Sequence, residues 1–375
     1  MQIIHLVLGK ARLNRMNGVN KVAHNLALHQ THLGHAVQIW GITPTPTQGV
    51  EQREYGLRLF RANPWKLWLD DELQQAFEEL KGKEALVHIH GIFIPEFYHA
   101  AKALHHLGIP YVFCPHGGLS PVALQRSAWR KELYLKLFEG WVLKHAHAVQ
   151  FLGQNQFQTI DKRITLSNKV LIPNGQNLSE LAYTPTDIPR PEGPLFSFCG
   201  RLDIRYKGLD ILIEGMYRYL KTGGTGVLWL IGDGGDRKEL EQRVEQANLN
   251  ESVLFLGPKF GAEKLNLIGH SDLFVHPSYS EGLPTSVLEA AGLGVPCMVS
   301  FPTNMGDAIR NHDAGIYLED LSAEGIGKEL LRAEALFHRG QLAPMGERAH
   351  SMIATEYNWE RIARRTIEMY AGTYA

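Results

Sequence analysis

The sequence has few cysteines, almost no net charge and no long apolar run. Its three cysteines lie in apolar segments without metal-ligand spacing, which is typical of buried thiols in a reducing compartment. Its 38 basic residues offset 39 acidic ones to a net charge of −1, so the composition indicates no nucleic-acid-binding surface. Because no stretch of about 18 apolar residues occurs, we expect no membrane-spanning helix.

The chain of 375 residues is long enough for two domains. Its 44% hydrophobic residues and 37 glycines are typical of a soluble α/β protein with many tight turns. The first eight residues form a strand-length apolar run without the basic start or cleavage site of a signal peptide. We therefore expect a bacterial cytoplasmic protein.

Short apolar runs alternate with segments of helical periodicity along both halves of the chain. This alternation predicts two parallel sheets flanked by helices, with ligands bound at the C-terminal ends of the strands. Residues 176–194 are rich in Pro, Thr and Asp and lack either periodicity, so we expect them to link a first domain, 1–175, to a second, 195–356. The predicted strands are 2–8, 36–40, 86–90, 111–114, 148–152, 170–172, 195–199, 227–231, 253–256, 273–277 and 296–300, and the predicted helices are 18–33, 67–81, 95–107, 121–145, 209–221, 261–269 and 359–370.

The segment from Leu273 to Gly292 predicts an anion-binding loop between a strand and a helix. The helix should begin near Pro284, since proline is favoured at the first helical position. Unpaired amides and the helix dipole there favour nucleotide phosphates. Glu281 in the loop and Glu289 one turn into the helix would repel phosphate, so they suit sugar hydroxyls instead. An ordinary loop-to-helix junction with a capping acid is the alternative interpretation.

Two cations follow the first strand of the second half. Arg201 and Lys207 flank one strand-to-helix loop and can both point into the space above the sheet, where they would neutralise a diphosphate. Gly232 begins a further loop suited to close backbone approach. In the first half, His116 ends a strand and precedes two glycines, where an α/β fold places a ligand-facing side chain. The alternative interpretation is that Arg201 and Lys207 are ordinary surface charges and that His116 is an ordinary loop histidine.

Two common kinds of site are not indicated. Asn17 and Gly18 precede the first helix, but no G-x-G-x-x-G follows the strand, so the dinucleotide fingerprint is missing. The pair His88 and His90, like the pair at 145 and 147, has no third histidine or carboxylate at suitable spacing. We therefore expect no metal site.

The predicted helix 121–145 mixes basic with aromatic residues and has two interpretations. Such a mixture suits contact with an anionic membrane or a lipid-linked substrate. The alternative is a solvated face beside a core face, with Glu132 and Glu139 diluting the positive charge.

Taken in the order in which they occur along the chain, the motifs resemble those of the retaining glycosyltransferases of family 4. That family has the GT-B fold of two Rossmann-like domains facing each other across a cleft. The resemblance covers essentially the whole chain, and its most specific part is the pair of glutamates separated by seven residues, with basic residues upstream. The family's last helix returns to the first domain, which implies that residues 357–375 pack back on it. The matching motifs are the loop before Val19, His116-Gly117-Gly118, Pro173-Asn174-Gly175, Gly200-Arg201-Leu202, Lys207-Gly208, Gly232-Asp233-Gly234 and Glu281 to Glu289.

The resemblance implies a nucleotide-diphosphate sugar as donor, with UDP-glucose or a near relative as the first choice. It assigns Arg201 and Lys207 to the leaving diphosphate, Glu289 to the ribose hydroxyls and Glu281 to the transferred hexose. His116 would contact the donor 6-hydroxyl or support the transition state. The remaining donor contacts fall to Asn17, Gly18, Gly232, Gly282, Leu283, Pro284 and Thr285, with the backbone near Lys259 holding the base; Asn17 and Pro284 stand where the family commonly has glycine.

The resemblance further implies a saccharide or lipid-linked glycan as acceptor, in polysaccharide biosynthesis. The chain has no D-x-D to hold a metal, so we expect cations to neutralise the departing phosphate and neither a metal nor another cofactor to take part. Without a second carboxylate nucleophile in the pattern, we expect retention by a front-face route. The alternatives are a catalytically inactive nucleotide-sugar-binding regulatory module, a GT-B-fold epimerase or phosphorylase, and, less favoured without the glycine fingerprint, a dehydrogenase.

Overall fold

The chain divides into two compact units, each built on its own parallel sheet. The computed structural model describes residues 1–10, 18–46, 53–63, 68–125, 128–181, 188 and 190–373. One unit comprises Met1–Gly175 with Trp359–Ala375, and the other comprises Gln176–Asn358. All strand pairs in both sheets are parallel, which confirms the predicted α/β class.

The sheet of the first unit has seven strands in the order β3-β2-β1-β4-β5-β6-β7. Its middle strands are buried on both faces, as expected for a parallel sheet covered by helices on either side. Strand order reverses between β1 and β4, and an α/β sheet binds ligands beyond the strand ends at such a point. The strands are β1 Gln2–Leu8, β2 Ala36–Thr43, β3 Gly56–Arg61, β4 Ala85–His90, β5 Tyr111–Cys114, β6 Ala148–Phe151 and β7 Lys169–Leu171, and the helices are α1 Gly18–His32, α2 Asp71–Glu78, α3 Pro95–Leu107, α4 Pro121–Gln125, α5 Ala128–Tyr134, α6 Gly140–His145 and α7 Gln154–Asp161.

The second unit repeats this arrangement with six strands, ordered β10-β9-β8-β11-β12-β13. Here the order reverses between β8 and β11, so the loops after these two strands share the crevice where a ligand is expected. Its strands are β8 Leu195–Cys199, β9 Val227–Ile231, β10 Val253–Gly257, β11 Leu273–His276, β12 Cys297–Ser300 and β13 Gly315–Leu318, and its helices are α8 Ile204–Lys207, α9 Leu209–Lys221, α10 Arg237–Gln246, α11 Gly261–Gly269, α12 Thr285–Gly292, α13 Gly306–Asn311, α14 Ala323–His338 and α15 Leu342–Glu356.

The last helix, α16 Trp359–Tyr370, belongs to the first unit although it follows the second in sequence. Trp359 is buried, and a Cβ atom on Gly175 would lie only 2.7 Å from its ring, so a side chain at position 175 would displace the tryptophan. The helix also packs against α1. The end of the first unit and the start of α16 are therefore joined by direct packing.

The predicted linker is partly structured. Residues 176–181 belong to the second unit and include the 3₁₀ helix Leu178–Leu181, where the sequence showed no periodicity. Residues 182–187 and 189 of that segment lie outside the described residues.

The structure corrects the predicted helix 121–145. Two α-helical segments, α4 and α5, are followed by a π-helical turn over Leu135–Glu139 and then by α6. A π turn inserts an extra residue, which rotates the side chains that follow it around the helix axis. Glu139, which we expected to dilute the positive charge of a solvated face, is buried.

Within the described residues, no helix combines the length and the apolar character needed to cross a membrane.

Candidate functional site

Lys207 and Glu281 form an ion pair at the reversal point of the second sheet. Lys207 ends α8, soon after β8, and Glu281 lies in the loop after β11. The two loops are joined because the carbonyl of Tyr206 accepts hydrogen bonds from the amides of Tyr279 and Ser280, at 2.9 and 3.3 Å. The Lys207 ammonium contacts Glu281 Oε1, and the two side chains are only 15% and 13% exposed. The structure thus brings these two predicted site residues together.

The same oxygen of Glu281 accepts two further hydrogen bonds. His276 Nε2 lies 2.9 Å from Oε1 and Ser278 Oγ lies 3.1 Å from it. Burial raises the pKa of Glu281, but the charge of Lys207 and the hydrogen bond from His276 lower it more, so the pKa falls to about 2. Glu281 is therefore an anion at neutral pH. With Oε1 occupied by three donors, Oε2 is the oxygen suited to accept a ligand hydroxyl.

Arg201 belongs to the same segment after β8 as Lys207 but is held differently. It follows β8 directly, and its side chain is 67% exposed, with Nε 3.6 Å from Asp203 Oδ2. A long separation and high exposure make this a weak ion pair. Its guanidinium is therefore able to turn toward a bound anion at small cost.

Glu289 has a partner that the sequence did not indicate. Lys264 Nζ, on α11, lies 2.7 Å from both carboxylate oxygens of Glu289, which is buried on α12. We expected Glu289 to be available for ribose hydroxyls. The structure instead shows a salt bridge, and any hydroxyl would have to share oxygens that Lys264 already contacts.

The start of α12 also differs slightly from expectation. The helix begins at Thr285, and Pro284 is its N-cap rather than its first residue. Because proline has no N–H, Pro284 offers no amide to a phosphate, which leaves those of Leu283 and Thr285. Asn304 Nδ2 holds the preceding loop in place, with donations to the carbonyls of Glu281 at 3.2 Å and Gly282 at 2.7 Å.

Gly232 is required by packing within the second unit. Its φ is 147°, and a Cβ atom there would lie 1.9 Å from the carbonyl oxygen of Gly200. The close approach that the sequence indicated is therefore made to the neighbouring loop of the protein. Lys259, the candidate for the base site, has its Nζ 2.6 Å from Glu263 Oε1, one turn along in sequence.

The candidates in the first unit are Asn17, Gly18 and His116. Asn17 lies outside the described residues, whereas Gly18 is the first residue of α1 and would accept a Cβ without contact within 4 Å. Neither packing nor backbone conformation therefore requires glycine at position 18. His116 follows β5 with φ of 47°, in the left-handed region that few non-glycine residues occupy.

His116 leads into a histidine cluster that the sequence did not reveal. His90 Nδ1 lies 2.8 Å from His116 Nε2, and His5 Nδ1 lies 2.9 Å from His90 Nε2. One ring nitrogen each of His5, His88 and His90 lies within 4.8 Å of the others, so a third histidine does join the pair in space. Spacing along the sequence did not reveal this third histidine, because β1 and β4 are adjacent strands although 85 residues separate His5 from His90.

Of the site residues that sequence reasoning missed, His276 left the clearest signal. It is a polar residue at the C-terminal end of a buried strand, as His116 is, and it stands five positions before Glu281. Lys264 and Asn304 gave no comparable signal, since both come from elements whose neighbours are known only from the fold.

Comparison with known proteins identifies both halves of the chain. The family model described as Glycosyltransferase Family 4 matches residues 16–180, and the one described as Glycosyl transferases group 1 matches residues 187–351.

Individual relatives are distant. EpsF of Bacillus subtilis is 29% identical over 230 residues, 58% of each chain, and the amylovoran biosynthesis glycosyltransferase AmsK of Erwinia amylovora is 25% identical over 167 residues, 43% of this chain and 40% of that protein. The chain thus spans less than two thirds of either relative. The solved structure of Anabaena Alr3699/HepE in complex with UDP-glucose matches with a TM-score of 0.74 at 16% identity, covering 99% of this chain and 100% of that one.

The Lys207→Met variant should raise the pKa of Glu281 well above about 2. The substitution removes the ammonium that lowers this pKa and keeps the burial that raises it. The measurement is a pH titration of ¹³C-labelled glutamate carboxyls, with the Glu281 signal assigned by its loss in Glu281→Gln. Lys259→Met, which removes an ammonium paired with Glu263 instead, serves as control and should leave the Glu281 pKa unchanged.

The same substitution should alter the pH dependence of stability. In the wild type, Glu281 titrates below its usual value of 4.5, so it stabilises the fold above that pH and this stability is lost as the pH falls toward about 2. Lys207→Met should reduce this acid sensitivity of the urea midpoint. An unchanged Glu281 pKa in Lys207→Met would contradict the assigned ion pair.

Proposed function

The chain belongs to the family 4 glycosyltransferases, whose GT-B fold consists of two Rossmann-like domains, and we propose that it transfers a hexose from a nucleotide-diphosphate sugar to a saccharide or lipid-linked glycan in polysaccharide biosynthesis. The observation that carries this proposal is the placement of Lys207 and Glu281 in contact at the reversal point of the second sheet. A cation and a carboxylate at one point suit a ligand with both diphosphate and hydroxyl groups.

Departure of the nucleotide diphosphate puts negative charge on the leaving phosphate, which preorganised donors stabilise. The Lys207 ammonium has three N–H donors and uses one of them in its contact with Glu281, so two remain for phosphate oxygens. Arg201 and the amides of Leu283 and Thr285 add further donors. Glu281 Oε2 then accepts a hydrogen bond from a hydroxyl of the hexose, as the sugar passes through its positively charged transition state.

We propose that transfer retains the anomeric configuration by a front-face route. The low pKa of Glu281 supports this, because a carboxylate held by Lys207, His276 and Ser278 is a weak nucleophile. The departing phosphate would then take the proton of the acceptor hydroxyl. Arg201 and Lys207 would supply the positive charge that a divalent metal supplies elsewhere, so transfer would need no metal and no other cofactor.

The choice of donor and pathway rests on relatives. The Anabaena neighbour binds UDP-glucose, which supports UDP-glucose or a near relative as the donor here. AmsK acts in amylovoran biosynthesis, which supports a role in making a surface polysaccharide.

A thermal-shift screen tests the donor. At 100 times its dissociation constant, the correct donor should stabilise the protein by about 2.7 kcal/mol, which raises Tm by roughly 5–10 °C for a unit of this size. UDP-glucose should give the largest shift among UDP-, GDP- and ADP-sugars, and EDTA should change neither the shift nor the rate of transfer. A donor that binds without any transfer or hydrolysis would instead support the alternative of a catalytically inactive regulatory module.

Arg201→Ala should lower kcat by about 10²–10³-fold, by analogy with removing one donor from an oxyanion hole. Arg205→Ala is the matched control, since Arg205 is an exposed arginine on the adjoining α8 and has no assigned role. The measurement is the initial rate of sugar transfer at saturating donor, with the anomeric proton of the product read by NMR. Undiminished turnover in Arg201→Ala would remove this residue from the mechanism.

We propose that the protein touches the inner face of the plasma membrane through the face formed by Trp129, Leu133 and Leu137. These side chains are 68%, 49% and 58% exposed and follow one another at successive turns. Arg130 and the exposed Lys136 flank them and would attract anionic lipid; Lys136 also lies 3.9 Å from Glu132, a long and exposed pair that leaves its ammonium accessible. Burial of Glu139, whose pKa rises to about 8, removes one of the two acids expected to dilute this positive charge.

The Trp129→Ser variant should bind vesicles of anionic lipid about tenfold more weakly or worse, because it loses the free energy of burying one large apolar side chain, about 1.5–3 kcal/mol. Trp68→Ser is the control, since Trp68 is an exposed tryptophan of the same unit outside this face. The measurement is co-sedimentation over a range of lipid concentrations. Equal weakening by both substitutions would argue against this face.

A further inference from the structure

Four histidines and their partners form a continuous hydrogen-bonded row inside the first unit. His5 stands opposite His88 in the register of β1 and β4, and His90 lies two residues further along the same face. The side chains of His5, His88 and His90 are at most 2% exposed. The row ends at His116, so the buried contacts bear directly on a candidate site residue.

The contacts connect Gln30 to His116 through two imidazole rings. His5 Nε2 lies 2.8 Å from Gln30 Oε1, His5 Nδ1 lies 2.9 Å from His90 Nε2, and His90 Nδ1 lies 2.8 Å from His116 Nε2. In this orientation Gln30 Oε1 faces His5, and Gln30 Nε2 donates to the hydroxyl of Tyr370 at 3.3 Å.

With Gln30 Oε1 facing His5 and each ring neutral, the direction of every proton in the row follows. Gln30 Oε1 can only accept, so His5 Nε2 carries a hydrogen and His5 Nδ1 a lone pair. That lone pair accepts from His90 Nε2, which leaves a lone pair on His90 Nδ1. His90 in turn accepts from His116 Nε2. Each ring then holds one proton, as expected because burial lowers the pKa of His5 and His116 to about 4 and that of His90 well below its usual value.

We propose that His5 and His90 are positioning residues that hold His116 as the neutral Nε2–H tautomer, with Nδ1 presented as the hydrogen-bond acceptor for a hydroxyl of the donor sugar. This inference rests on the proposed function and on the contact with the donor hexose that the family resemblance implies for His116. It develops the first of the two roles that the resemblance left open, the contact with a donor hydroxyl. A neutral ring with a bare Nδ1 accepts a hydrogen bond from a hydroxyl and has no proton at that nitrogen to donate.

The backbone at the end of the row supports a fixed orientation of His116. Its φ of 47° is costly for a residue with a Cβ atom and persists only where the surroundings hold it. Gly118 is also tightly enclosed, since a Cβ atom there would lie 2.2 Å from Ile92 Cγ2. Backbone and hydrogen bond together give the ring little freedom to turn.

A metal ion at the three buried histidines is the competing interpretation. His88 Nε2 has no hydrogen-bond partner among the described residues, and its Nδ1 lies 2.8 Å from the hydroxyl of Tyr370. However, within the described chain the group comprises three neutral ligands and no carboxylate or cysteine, whereas a structural zinc site has four protein ligands and a three-histidine site needs water or substrate in a fourth position. A buried divalent charge would be uncompensated there. The nitrogens of His5 and His90 that face each other already share a hydrogen bond.

The tautomer of His116 is measurable without substrate. In protein labelled with ¹⁵N-histidine, two-bond ¹⁵N–¹H correlations distinguish Nε2–H from Nδ1–H rings, and the His116 signals are assigned by their loss in His116→Gln. We expect the Nε2–H form at neutral pH. An Nδ1–H ring, an imidazolium, or one zinc ion per chain by elemental analysis would overturn the inference.

Substitutions at position 90 test the positioning role. His90→Phe removes the acceptor facing His116, so the tautomers of His116 should mix and kcat/KM for the donor should fall about 10- to 100-fold. His90→Asn places a side-chain oxygen where Nδ1 was, and it should retain the Nε2–H form and most of the activity. His106→Phe is the control, since His106 is an exposed histidine of α3 in the same unit and lies outside the row.

Wild-type tautomer and kinetics in His90→Phe, or equal losses in His106→Phe, would overturn the positioning role. Should His90→Phe fail to fold, the wild-type spectrum and His90→Asn still decide the question. If no sugar is transferred at all, the proposed function fails, whereas the spectra report on the histidine row independently.

Discussion

The loops of the second unit are arranged around the ion pair of Lys207 and Glu281. Leaving either charge buried alone would cost several kcal/mol, so the two loops that carry them must lie close together. Gly208 makes that possible, because its φ is 63° and a Cβ atom there would lie 2.2 Å from the carbonyl oxygen of Pro277. The hydrogen bonds to the Tyr206 carbonyl then hold the loops in register. The pair thus couples the end of β8 to the end of β11, where the sheet order reverses.

A different constraint governs the first unit, where polar rings lie within an otherwise apolar sheet. Burial keeps the histidines neutral, and neutral rings can be satisfied only by donating on one side and accepting on the other. Gln30 and the hydroxyl of Tyr370 close the row from α1 and α16. The return of the last helix to the first unit therefore completes a hydrogen-bonded network as well as an apolar core.

Several helices and strands were predictable because the residues that determine their bounds lie within each element or directly beside it. The helix 95–107 has proline at its first position and a left-handed glycine, Gly108, after its last, and its predicted bounds match those observed. The helix 209–221 and the strands 111–114 and 195–199 match equally well. In these segments the apolar spacing and the flanking residues agree.

Other elements gave misleading or weak local signals. Helix α10 buries only Leu240 and Val244, so its apolar periodicity was too sparse to recognise. Helix α14 begins with glycines that usually mark turns, but a side chain on Gly215 of α9 would lie 2.6 Å from Ile326, so this is a close helix contact that needs small residues. A Cβ atom on Gly140, which follows the π turn, would lie 2.8 Å from the carbonyl oxygen of Leu135, so this position also needs a small residue.

The sequence by itself determined the two α/β halves and the candidate residues Arg201, Lys207, Glu281 and His116, because polar residues at the ends of buried strands stand out locally. Only the tertiary structure decided their partners. Lys264 for Glu289, His276 for Glu281 and the row from Gln30 to His116 join different elements, and His88 and Tyr370 are 282 residues apart. Strand order determines which side chains face each other across such distances, and spacing along the chain carries no record of it.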